Sequence, residues 1–452
     1  MSAHGTQPKE VPEVLIVGGG LGGLMLALLL ECIDVPYHIF ERSKELRSLG
    51  SAMTLNACIF PVFEQLGLLE DLLRISSTFR TVDLYHEDMK KIGSTDMTHL
   101  KETVGYESIL FARPKLYELM LKRVPAHKIS RGKKVLRTDQ KDGRVSIFCS
   151  DNTRYEGDIL VGADGAYSSV RQSMYKRMDE KGLLPKSDLD KFSIGTILMV
   201  GVAKPENHDK YPQFKDGFAR FLTVIGSSKT NNKNWSALVT PNNEICWSIA
   251  QLLSEEEARE QQFRNSEWGS ETNETWINEA QDYICPLGGT MGEIIDATPK
   301  DQISKVFLEE KLFKTWYYEQ TVLIGDGATN AMQDAVVLAN CIFNMPDKSS
   351  ESITKVFKDY YAQRFEKAEW HIKRSADMNK ILFGQKWTEK LLRHITFNYV
   401  PASIVRKEAA KSFTHRPQIA WLPLVENYGN TPVEPQVGRP KNGLNKGQNN
   451  RK

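Results

Sequence analysis

The feature that most constrains this chain is a glycine-rich segment that follows a short apolar run near the N-terminus. Residues 14–17, Val-Leu-Ile-Val, form a continuous β-type run, as expected for a strand covered on both faces of a parallel sheet. Gly18, Gly20 and Gly23 then fit the pattern G-x-G-x-x-G, and residues 24–30 predict a buried helix. Such glycines serve a sharp turn, the close approach of a diphosphate, and the packing of helix against strand.

A second β-type segment places an acidic residue where a dinucleotide site needs one. Residues 37–40 form this segment, and Glu41 follows it directly, eighteen positions after Gly23. A carboxylate at about this distance from the glycines accepts hydrogen bonds from the ribose hydroxyls of an adenine dinucleotide. This succession of a strand, a glycine turn, a helix, a second strand and an acidic residue therefore predicts a doubly wound α/β domain that binds such a cofactor. The alternative is a glycine-rich turn in an α/β fold that binds no nucleotide.

Composition sets limits on the class of protein. At roughly 100 to 200 residues per domain, 452 residues suffice for two or three domains. The 59 basic and 57 acidic side chains leave a net charge of +2, which argues against a nucleic-acid-binding protein held by phosphate charge. Six cysteines without a CxxC pair are too sparse for a disulfide scaffold, so a reducing compartment, the cytoplasm, is expected.

Several other site types have no support in the sequence. The first thirteen residues lack the charged and apolar regions of a secretory signal, so no cleaved signal is expected. None of the nine histidines lies in an HExxH pattern, and no G-x-S-x-G elbow occurs. We therefore expect neither a metal site nor a hydrolase triad.

Two further strands end in an aspartate beside glycine. Residues 159–163 predict a buried strand, which leads into Asp164-Gly165 and a helix that contains Arg171. Residues 321–324 predict another strand, which leads into Gly325-Asp326-Gly327. Open α/β sheets bind ligands at the carboxyl ends of their strands, so both aspartates are candidate ligand contacts. The simpler alternative for Asp164 is a helix cap.

In their order, these three motifs resemble those of the group A, p-hydroxybenzoate hydroxylase-type, FAD-dependent monooxygenases, and in particular fungal FAD-binding proteins. The family motifs are GxGxxG followed by Glu, a DGxxSxxR in mid-chain, and a late GD before a helix. The resemblance extends to about residue 345. It implies an FAD-binding, Rossmann-like α/β domain, an antiparallel-sheet substrate domain and C-terminal helices.

The resemblance also implies which residues contact the cofactor. The candidates run from the N-terminal glycines through the arginine that opens a second helix to the two aspartate motifs: Gly18, Gly20, Gly23, Glu41, Arg113, Asp164, Gly165, Asp326, Gly327 and Ala328. The glycines and Arg113 would hold the FAD diphosphate, Glu41 the ribose, and Asp326 the ribityl or diphosphate region. Asp164 and Gly165 would serve both FAD and NAD(P)H. A surface ion pair is the alternative for Arg113.

By the same resemblance, the reaction would be NAD(P)H-dependent hydroxylation or epoxidation of a small aromatic or polyene molecule with molecular oxygen, through a flavin C4a-hydroperoxide. Because the flavin carries that chemistry, no catalytic acid or base is assigned. A nicotinamide-dependent dehydrogenase that uses only the first fingerprint is a weaker alternative, since it would not need the two aspartate motifs.

The chain departs from the family after Asp326. Members usually continue with A-x-H-x-x-x-P-x-x-G-x-G, whereas this chain enters its helix with a loop shorter by roughly ten residues. Asn330 is predicted to cap that helix, with Gln333 reaching back to it. The alternative function is therefore a flavin-binding protein of the same fold that is catalytically impaired by the short loop.

The sequence also predicts the division of the chain. Residues 9–188 and 305–345 would form the FAD-binding domain, 189–304 a substrate-covering sheet with a polar helix from Ser254 to Phe263, and 346–425 a helical region. Residues 426–452 are rich in Pro, Gly, Asn and Lys and predict a disordered tail. Within the helical region, residues 381–405 are amphipathic enough to lie on a membrane surface, but packing against the protein is the favoured interpretation.

Overall fold

The structure is a computed structural model, and it describes residues 11–45, 50, 52–190, 194–253, 274–309, 311–325, 327–427 and 429–435. Within them the strands are β1 (Val14–Val17), β2 (Tyr37–Glu41), β3 (Ala52–Thr54), β4 (Ser77–His86), β5 (Lys91–Asp96), β6 (Ile109–Ala112), β7 (Ile129–Arg131), β8 (Val135–Lys141), β9 (Arg144–Cys149), β10 (Arg154–Gly157), β11 (Ile159–Gly162), β12 (Ile194–Ala203), β13 (Ala219–Ile225), β14 (Lys233–Thr240), β15 (Glu244–Leu252), β16 (Ser304–Glu309), β17 (Tyr317–Tyr318) and β18 (Thr321–Leu323).

The helices divide into short ones between the strands and longer ones near the C-terminus. They are α1 (Leu21–Glu31), α2 (Phe60–Gln65), α3 (Leu69–Arg74), α4 (Leu100–Val104), α5 (Arg113–Leu121), α6 (Ser169–Glu180), α7 (Lys186–Leu189), α8 (Glu274–Ala280), α9 (Met291–Asp296), α10 (Ala328–Phe343), α11 (Ser350–Phe383), α12 (Trp387–Asn398) and α13 (Ala402–Ala410). Single 3-10 turns lie at Ala57–Ile59, Ala126–Lys128, His208–Lys210, Pro212–Lys215, Ser228–Thr230, Lys300–Gln302 and Lys411–Phe413.

The first sheet is the predicted nucleotide-binding sheet. Its order is β17-β18-β11-β1-β2-β7, and all pairs except the β17–β18 edge are parallel. The four residues of β1 and the four of β11 are all buried, as their continuous apolar sequences predict. Parallel strands place all their carboxyl ends at one edge of the sheet, so the three sequence motifs meet along this edge.

The second sheet is larger than the sequence predicts. It runs β16-β12-β15-β14-β13-β4-β6-β3, with β5 also paired to β4. Strands β12 to β15 lie between residues 194 and 252, within the range for which a substrate-covering sheet was predicted. The sheet is not wholly antiparallel, however, because β13 pairs with β4 in parallel. Through β3, β4 and β6, residues 52–112 thus join the layer that was expected to contain only later residues.

Buried helices cover the first sheet. Leu24 and Leu26 of α1 are buried on different sides of the helix, which therefore lies wholly in the core. A Cβ built on Gly22 would lie 2.9 Å from the Ala331 Cβ, so the two helices α1 and α10 pack closely. Helix α11 also contributes to this core, because Ile353 and Phe357 are fully buried in it.

The C-terminal region differs from the prediction in two respects. Helix α12 packs against the protein, as the favoured interpretation expects, but its one buried residue is Arg393 and most of its large apolar side chains are exposed. Among the described residues of α13, none is buried. Residues 429–435 are ordered: Thr431 donates its N–H to the Thr103 carbonyl, and Glu434 forms ion pairs. These contacts stabilise the beginning of the segment that was predicted to be disordered.

Three predictions concern residues that lie outside the described ranges in whole or in part. These are the polar helix from Ser254 to Phe263, the role of Asp326, and the tail beyond residue 435. None of the described helices has both the length and the apolar character needed to cross a membrane.

Candidate cofactor site

The glycine turn between β1 and α1 has two positions that the fold itself restricts. Gly18 has φ +108, and a Cβ there would lie 2.3 Å from the Ala163 carbonyl oxygen. A Cβ on Gly23 would lie 2.1 Å from the Gly18 carbonyl oxygen. Both positions therefore exclude any side chain. Gly20, which caps α1, is different, because a Cβ there would meet no atom within 4 Å. Open space at Gly20, beside the N-terminus of a buried helix, is what a bound diphosphate requires.

Glu41 is held beside this turn. One oxygen of its carboxylate, Oε2, accepts a hydrogen bond of 2.8 Å from the Gly19 N–H. The other, Oε1, accepts one of 2.8 Å from the Ser43 N–H. A carboxylate has about four lone-pair positions, so acceptor capacity remains for ribose hydroxyls. The predicted acid is thus positioned at the carboxyl end of β2 and directed toward the glycines.

Arg113 is the first residue of α5. Its aliphatic chain packs against Gly50, where a Cβ would lie 3.1 Å from the arginine Cδ. Burial and the negative charge of Glu41 together raise the pKa of Tyr117 to about 12, against the opposing positive charges of Arg131 and Arg113. Arg113 and Glu41 therefore lie close enough to act on the same hydroxyl group.

Asp164 caps a helix, as the simpler alternative predicts, but the helix cap uses only one of its two carboxylate oxygens. Its Oδ2 accepts hydrogen bonds from the Ser169 N–H at 2.7 Å and the Val170 N–H at 3.4 Å, so the carboxylate caps α6. Its Oδ1 is buried without a hydrogen-bond partner in the described part of the chain. An unsatisfied buried acceptor costs about 1–3 kcal/mol, and a donor group of a ligand would remove this cost. The neighbouring Gly165 has φ +76 and no atom within 4 Å of a built Cβ, so the backbone is open at this point.

At the third motif, the structure corrects the predicted start of the helix. Asp326 lies outside the described residues, but Gly327 has φ +95 and caps α10, which begins at Ala328. The Ala331 N–H donates to the Gly327 carbonyl at 2.8 Å, so the helix has already formed at Asn330. The prediction that Asn330 caps the helix is therefore wrong. A glycine with positive φ permits an abrupt entry into the helix three residues earlier.

A cavity of about 190 Å³ joins the second and third motifs. It lies between the carboxyl ends of β11 and β18, the start of α10, and one side of α11. Gly165 and Gly325 both line it, together with Arg171, Lys311 and Phe313. The Arg171 guanidinium lies 4.2 Å from the centre of the Phe313 ring. Burial lowers the pKa of Lys311. Two basic side chains therefore border a partly apolar cavity.

The motifs lie side by side along one edge. Strands β2, β1, β11 and β18 are consecutive neighbours in the sheet, and they deliver Glu41, Gly18, Asp164 and Gly325 in that order. At about 4.8 Å between neighbouring strands, the first and last lie about 15 Å apart. An extended dinucleotide can cover that distance, so a single crevice can serve all three motifs.

The sequence analysis missed a buried ion pair behind this edge. Asp334 of α10 and Arg364 of α11 are 2.6 Å apart, with side chains 1% and 0% exposed. The other carboxylate oxygen, Asp334 Oδ2, accepts a 2.8 Å hydrogen bond from the Gly325 N–H. Asp334 therefore fixes the residue that precedes Asp326. It is the one acidic residue of α10, and that isolation within an apolar helix was the available signal.

The chemistry of these residues fits FAD. The backbone is open at three glycines along this edge, Gly20, Gly165 and Gly327. Asp164 Oδ1 is a buried acceptor without a hydrogen-bond donor among the described residues. Hydroxyl groups and a diphosphate are the ligand groups that these features accommodate. Ala328 contributes the first residue of the helix that faces the same edge.

Comparison with known proteins agrees with this arrangement. Residues 12–273, more than half of the chain, match the family described as "FAD binding domain". The FAD-dependent monooxygenase ausM of Penicillium brasilianum is 25% identical, over 95% of this chain and 91% of its own length. The FAD-dependent monooxygenase atmM of Aspergillus flavus is 24% identical, over 93% and 89% respectively.

Solved structures show the same fold. Klebsiella pneumoniae HpxO, complexed with FAD and uric acid, has a TM-score of 0.69 at 17% identity and covers 89% of this chain and 96% of its own. CtdE in complex with FAD and substrate 4 has a TM-score of 0.64 at 14% identity, with 89% and 97% covered. The predicted α/β fold is confirmed. The chain therefore belongs to the FAD binding domain family, and its relatives identify it as an FAD-dependent monooxygenase.

Proposed function

We propose that this monooxygenase uses NAD(P)H as co-substrate and hydroxylates or epoxidises a small aromatic or polyene molecule with molecular oxygen. The observation that carries the proposal is the convergence of three separate motifs on one edge of a parallel sheet. A dehydrogenase with a single glycine fingerprint needs only the first of them.

Different residues of this chain would bind different parts of the cofactor. Gly18, Gly20 and Gly23 would hold the diphosphate at the N-terminus of α1, assisted by Arg113, whose planar guanidinium suits phosphate oxygens. Glu41 would accept hydrogen bonds from the ribose hydroxyls.

The other half of the cofactor would lie toward the second and third motifs. Asp164 Oδ1 would accept a hydrogen bond, and the stretch Asp326-Gly327-Ala328 would approach the ribityl chain. FAD, when bound, supplies the chemistry that accepts a hydride and activates oxygen. The chain supplies position and charge, because the partial positive charge at the N-terminus of α10 favours an anion nearby.

Basic side chains support the use of a nicotinamide dinucleotide. Arg171 and Lys311 border the cavity beside Gly165, and the phosphate groups of NAD(P)H are anionic. The family resemblance supports the substrate class. Trp235 and Trp247 are buried in the core and serve packing.

The test is spectroscopic and kinetic. Full-length protein should be yellow, with flavin absorption bands, and should oxidise NADH or NADPH faster when an aromatic or polyene substrate is added. In isotopically labelled oxygen, the product should contain one labelled atom. Glu41→Gln, which keeps the size of the side chain but removes its charge, should bind FAD more weakly. A protein that stays colourless after incubation with FAD would falsify the proposal.

A second candidate is a flavin-binding protein impaired by its short loop, because α10 begins only two residues after Asp326. Insertion of a loop of family length after Asp326 distinguishes the two. Impairment predicts that turnover rises in the lengthened protein. Unchanged FAD binding and turnover would mean that the short loop is harmless.

A further inference from the structure

Helix α12 is attached to the protein by one narrow side. The Arg393 guanidinium is buried and donates hydrogen bonds to the carbonyl oxygens of Leu382 at 2.9 Å and Gly384 at 3.1 Å, at the end of α11. The Phe397 ring packs on the backbone of Gly93 in β5, where a Cβ would lie 2.6 Å from the ring. Positions 393 and 397 are one turn apart and therefore mark the side of α12 that faces the protein.

The opposite side of α12 is apolar and exposed. Its exposed fractions are high for large hydrophobic side chains: Trp387 75%, Leu391 48%, Leu392 46%, Ile395 41% and Tyr399 71%. At about 100° per residue, these five positions fall within an arc of about 140°, and Arg393 lies outside it. A surface helix normally turns its apolar face to the core, whereas α12 turns a buried arginine to the protein and its apolar face to the solvent.

The next helix also exposes large apolar side chains. Ile404 and Val405 of α13 are 54% and 36% exposed, and none of the described residues of α13 is buried. We call the seven residues Trp387, Leu391, Leu392, Ile395, Tyr399, Ile404 and Val405 the outer apolar face. Exposed large apolar side chains clustered on one face of a helix mark a binding site.

The charge of this region indicates what binds there. Between residues 386 and 411 there are six basic and two acidic side chains. A second copy of this chain would bring two basic segments together, which is unfavourable, whereas an anionic surface would complement them.

We propose that the outer apolar face binds to the surface of an anionic lipid bilayer. Tryptophan and tyrosine stand at the two ends of α12, and their rings combine an apolar body with a polar group that suits the headgroup layer. An amphipathic helix with leucine, isoleucine and tryptophan on one face and lysines nearby lies in the plane of such an interface. The helix lies on the membrane and does not span it. This proposal does not depend on the proposed reaction.

The first test is sedimentation of the full-length, FAD-loaded protein with vesicles of phosphatidylcholine, with or without about 30% phosphatidylserine. We expect binding to be about tenfold tighter to the anionic vesicles and to weaken at high salt. The triple variant Trp387→Ser, Leu391→Ser and Ile395→Ser should bind at least about tenfold more weakly, because it removes buried apolar area.

A matched control carries the same chemical change elsewhere. Leu136, Leu183 and Leu189 are also exposed, and their replacement by serine should leave vesicle binding unchanged. Equal binding by the wild type and the α12 triple variant overturns the proposal. So does a wild-type dimer in sedimentation equilibrium that ignores vesicles and dissociates in the α12 variant, since the occupant is then a second copy.

A second measurement does not require a disruptive variant. Brominated lipids in the vesicles should quench tryptophan fluorescence of the wild type and quench it less in Trp387→Phe, which retains an aromatic ring and should still bind. Equal quenching in the two proteins would place the lipid contact elsewhere and overturn the proposal. Flavin absorption of every variant confirms that the fold is retained.

Discussion

At the scale of single residues, the three glycines of the fingerprint are not equivalent. Gly18 and Gly23 are required by the protein's own backbone, because a Cβ at either would overlap a carbonyl oxygen. Gly20 has φ −73 and ψ −176, which any residue can adopt, and open space beside it. Of the three glycines, Gly20 is therefore the one that the fold of the protein itself does not require.

Gly20→Ala should therefore separate binding from stability. We expect its free energy of unfolding without FAD to be unchanged or raised by up to about 1 kcal/mol, because alanine loses less backbone entropy on folding. FAD affinity should fall at least about tenfold, which corresponds to about 1.4 kcal/mol, because the methyl group occupies the diphosphate position. Denaturant titration of the apoprotein and fluorescence titration with FAD measure the two quantities.

Gly195→Ala is the matched control, since a Cβ on Gly195 in β12 also meets no atom within 4 Å. It should leave FAD affinity unchanged. Unaltered FAD affinity in Gly20→Ala would mean that the diphosphate does not approach this turn.

Individual residues of the site could be predicted where their role is local. Gly18, Gly23 and Glu41 lie within one strand-turn-helix-strand unit, so spacing along the chain indicates their geometry. The cap at α10 was misassigned, because Asn330 is a common capping residue but the conformation of Gly327 decides where the helix begins. Backbone conformation at a glycine is not written in the side-chain pattern.

At the scale of elements, α10 and α11 are joined by polar contacts within an apolar interface. Asp334 pairs with Arg364, and the Tyr360 hydroxyl of α11 donates to the Leu323 carbonyl of β18 at 3.1 Å. These contacts connect the long C-terminal helix to the strand and turn of the third motif. The position of Gly325 therefore depends on α11 as well as on its own strand.

Arg364→Met should be strongly destabilising. We expect a loss of roughly 3–5 kcal/mol in the free energy of unfolding, because Asp334 would remain charged and buried without its partner. Addition of Asp334→Asn to this variant should restore part of the loss. Chemical denaturation monitored by circular dichroism measures both effects.

The control is Lys373→Met, which breaks the exposed pair between Lys373 and Glu369 on the same helix. An exposed pair of this type contributes about 0–1 kcal/mol, so this variant should resemble the wild type. Similar losses of unfolding free energy in Arg364→Met and Lys373→Met would mean that the buried pair contributes no more to stability than the exposed one.

Most elements were predictable, but their partners were not. Apolar runs indicate β12 to β15, and turns at residues such as Asp142-Gly143 separate β8 from β9. The ion pair between α10 and α11 and the parallel contact of β13 with β4 join segments that are distant in sequence. Such contacts follow from tertiary packing. The spacing of apolar residues along the chain, with a period of 2 in strands and 3.6 in helices, does not indicate which elements pair.

At the scale of the whole molecule, two partly buried histidines should make stability depend on pH. Burial, together with the positive charge of Arg364, lowers the pKa of His371 to about 4 and that of His415 to about 4. In the unfolded chain the pKa of each would be near 6.5. Between these values the unfolded state binds more protons than the folded state, so acidification favours unfolding.

We therefore expect the free energy of unfolding to fall by about 1–3 kcal/mol as the pH is lowered from about 6.5 to about 5. The double variant His371→Gln and His415→Gln should lose less over the same interval, because glutamine does not titrate. Thermal unfolding followed at several pH values measures the slope. His86→Gln, on an exposed position, should retain the wild-type slope, and an unaltered slope in the double variant would contradict this explanation.

The parallel contact between β4 and β13 has a consequence for biosynthesis. Strand β4 leaves the ribosome well before β13, because β5 to β12 must be translated in between. At roughly 5–20 residues per second, the hydrogen-bonding edge of β4 remains without its partner for about 7 to 28 s. An open strand edge invites pairing with other chains, so nascent molecules should depend on chaperones during this interval. Fragments that stop short of β13 should aggregate, even when they contain the complete glycine fingerprint.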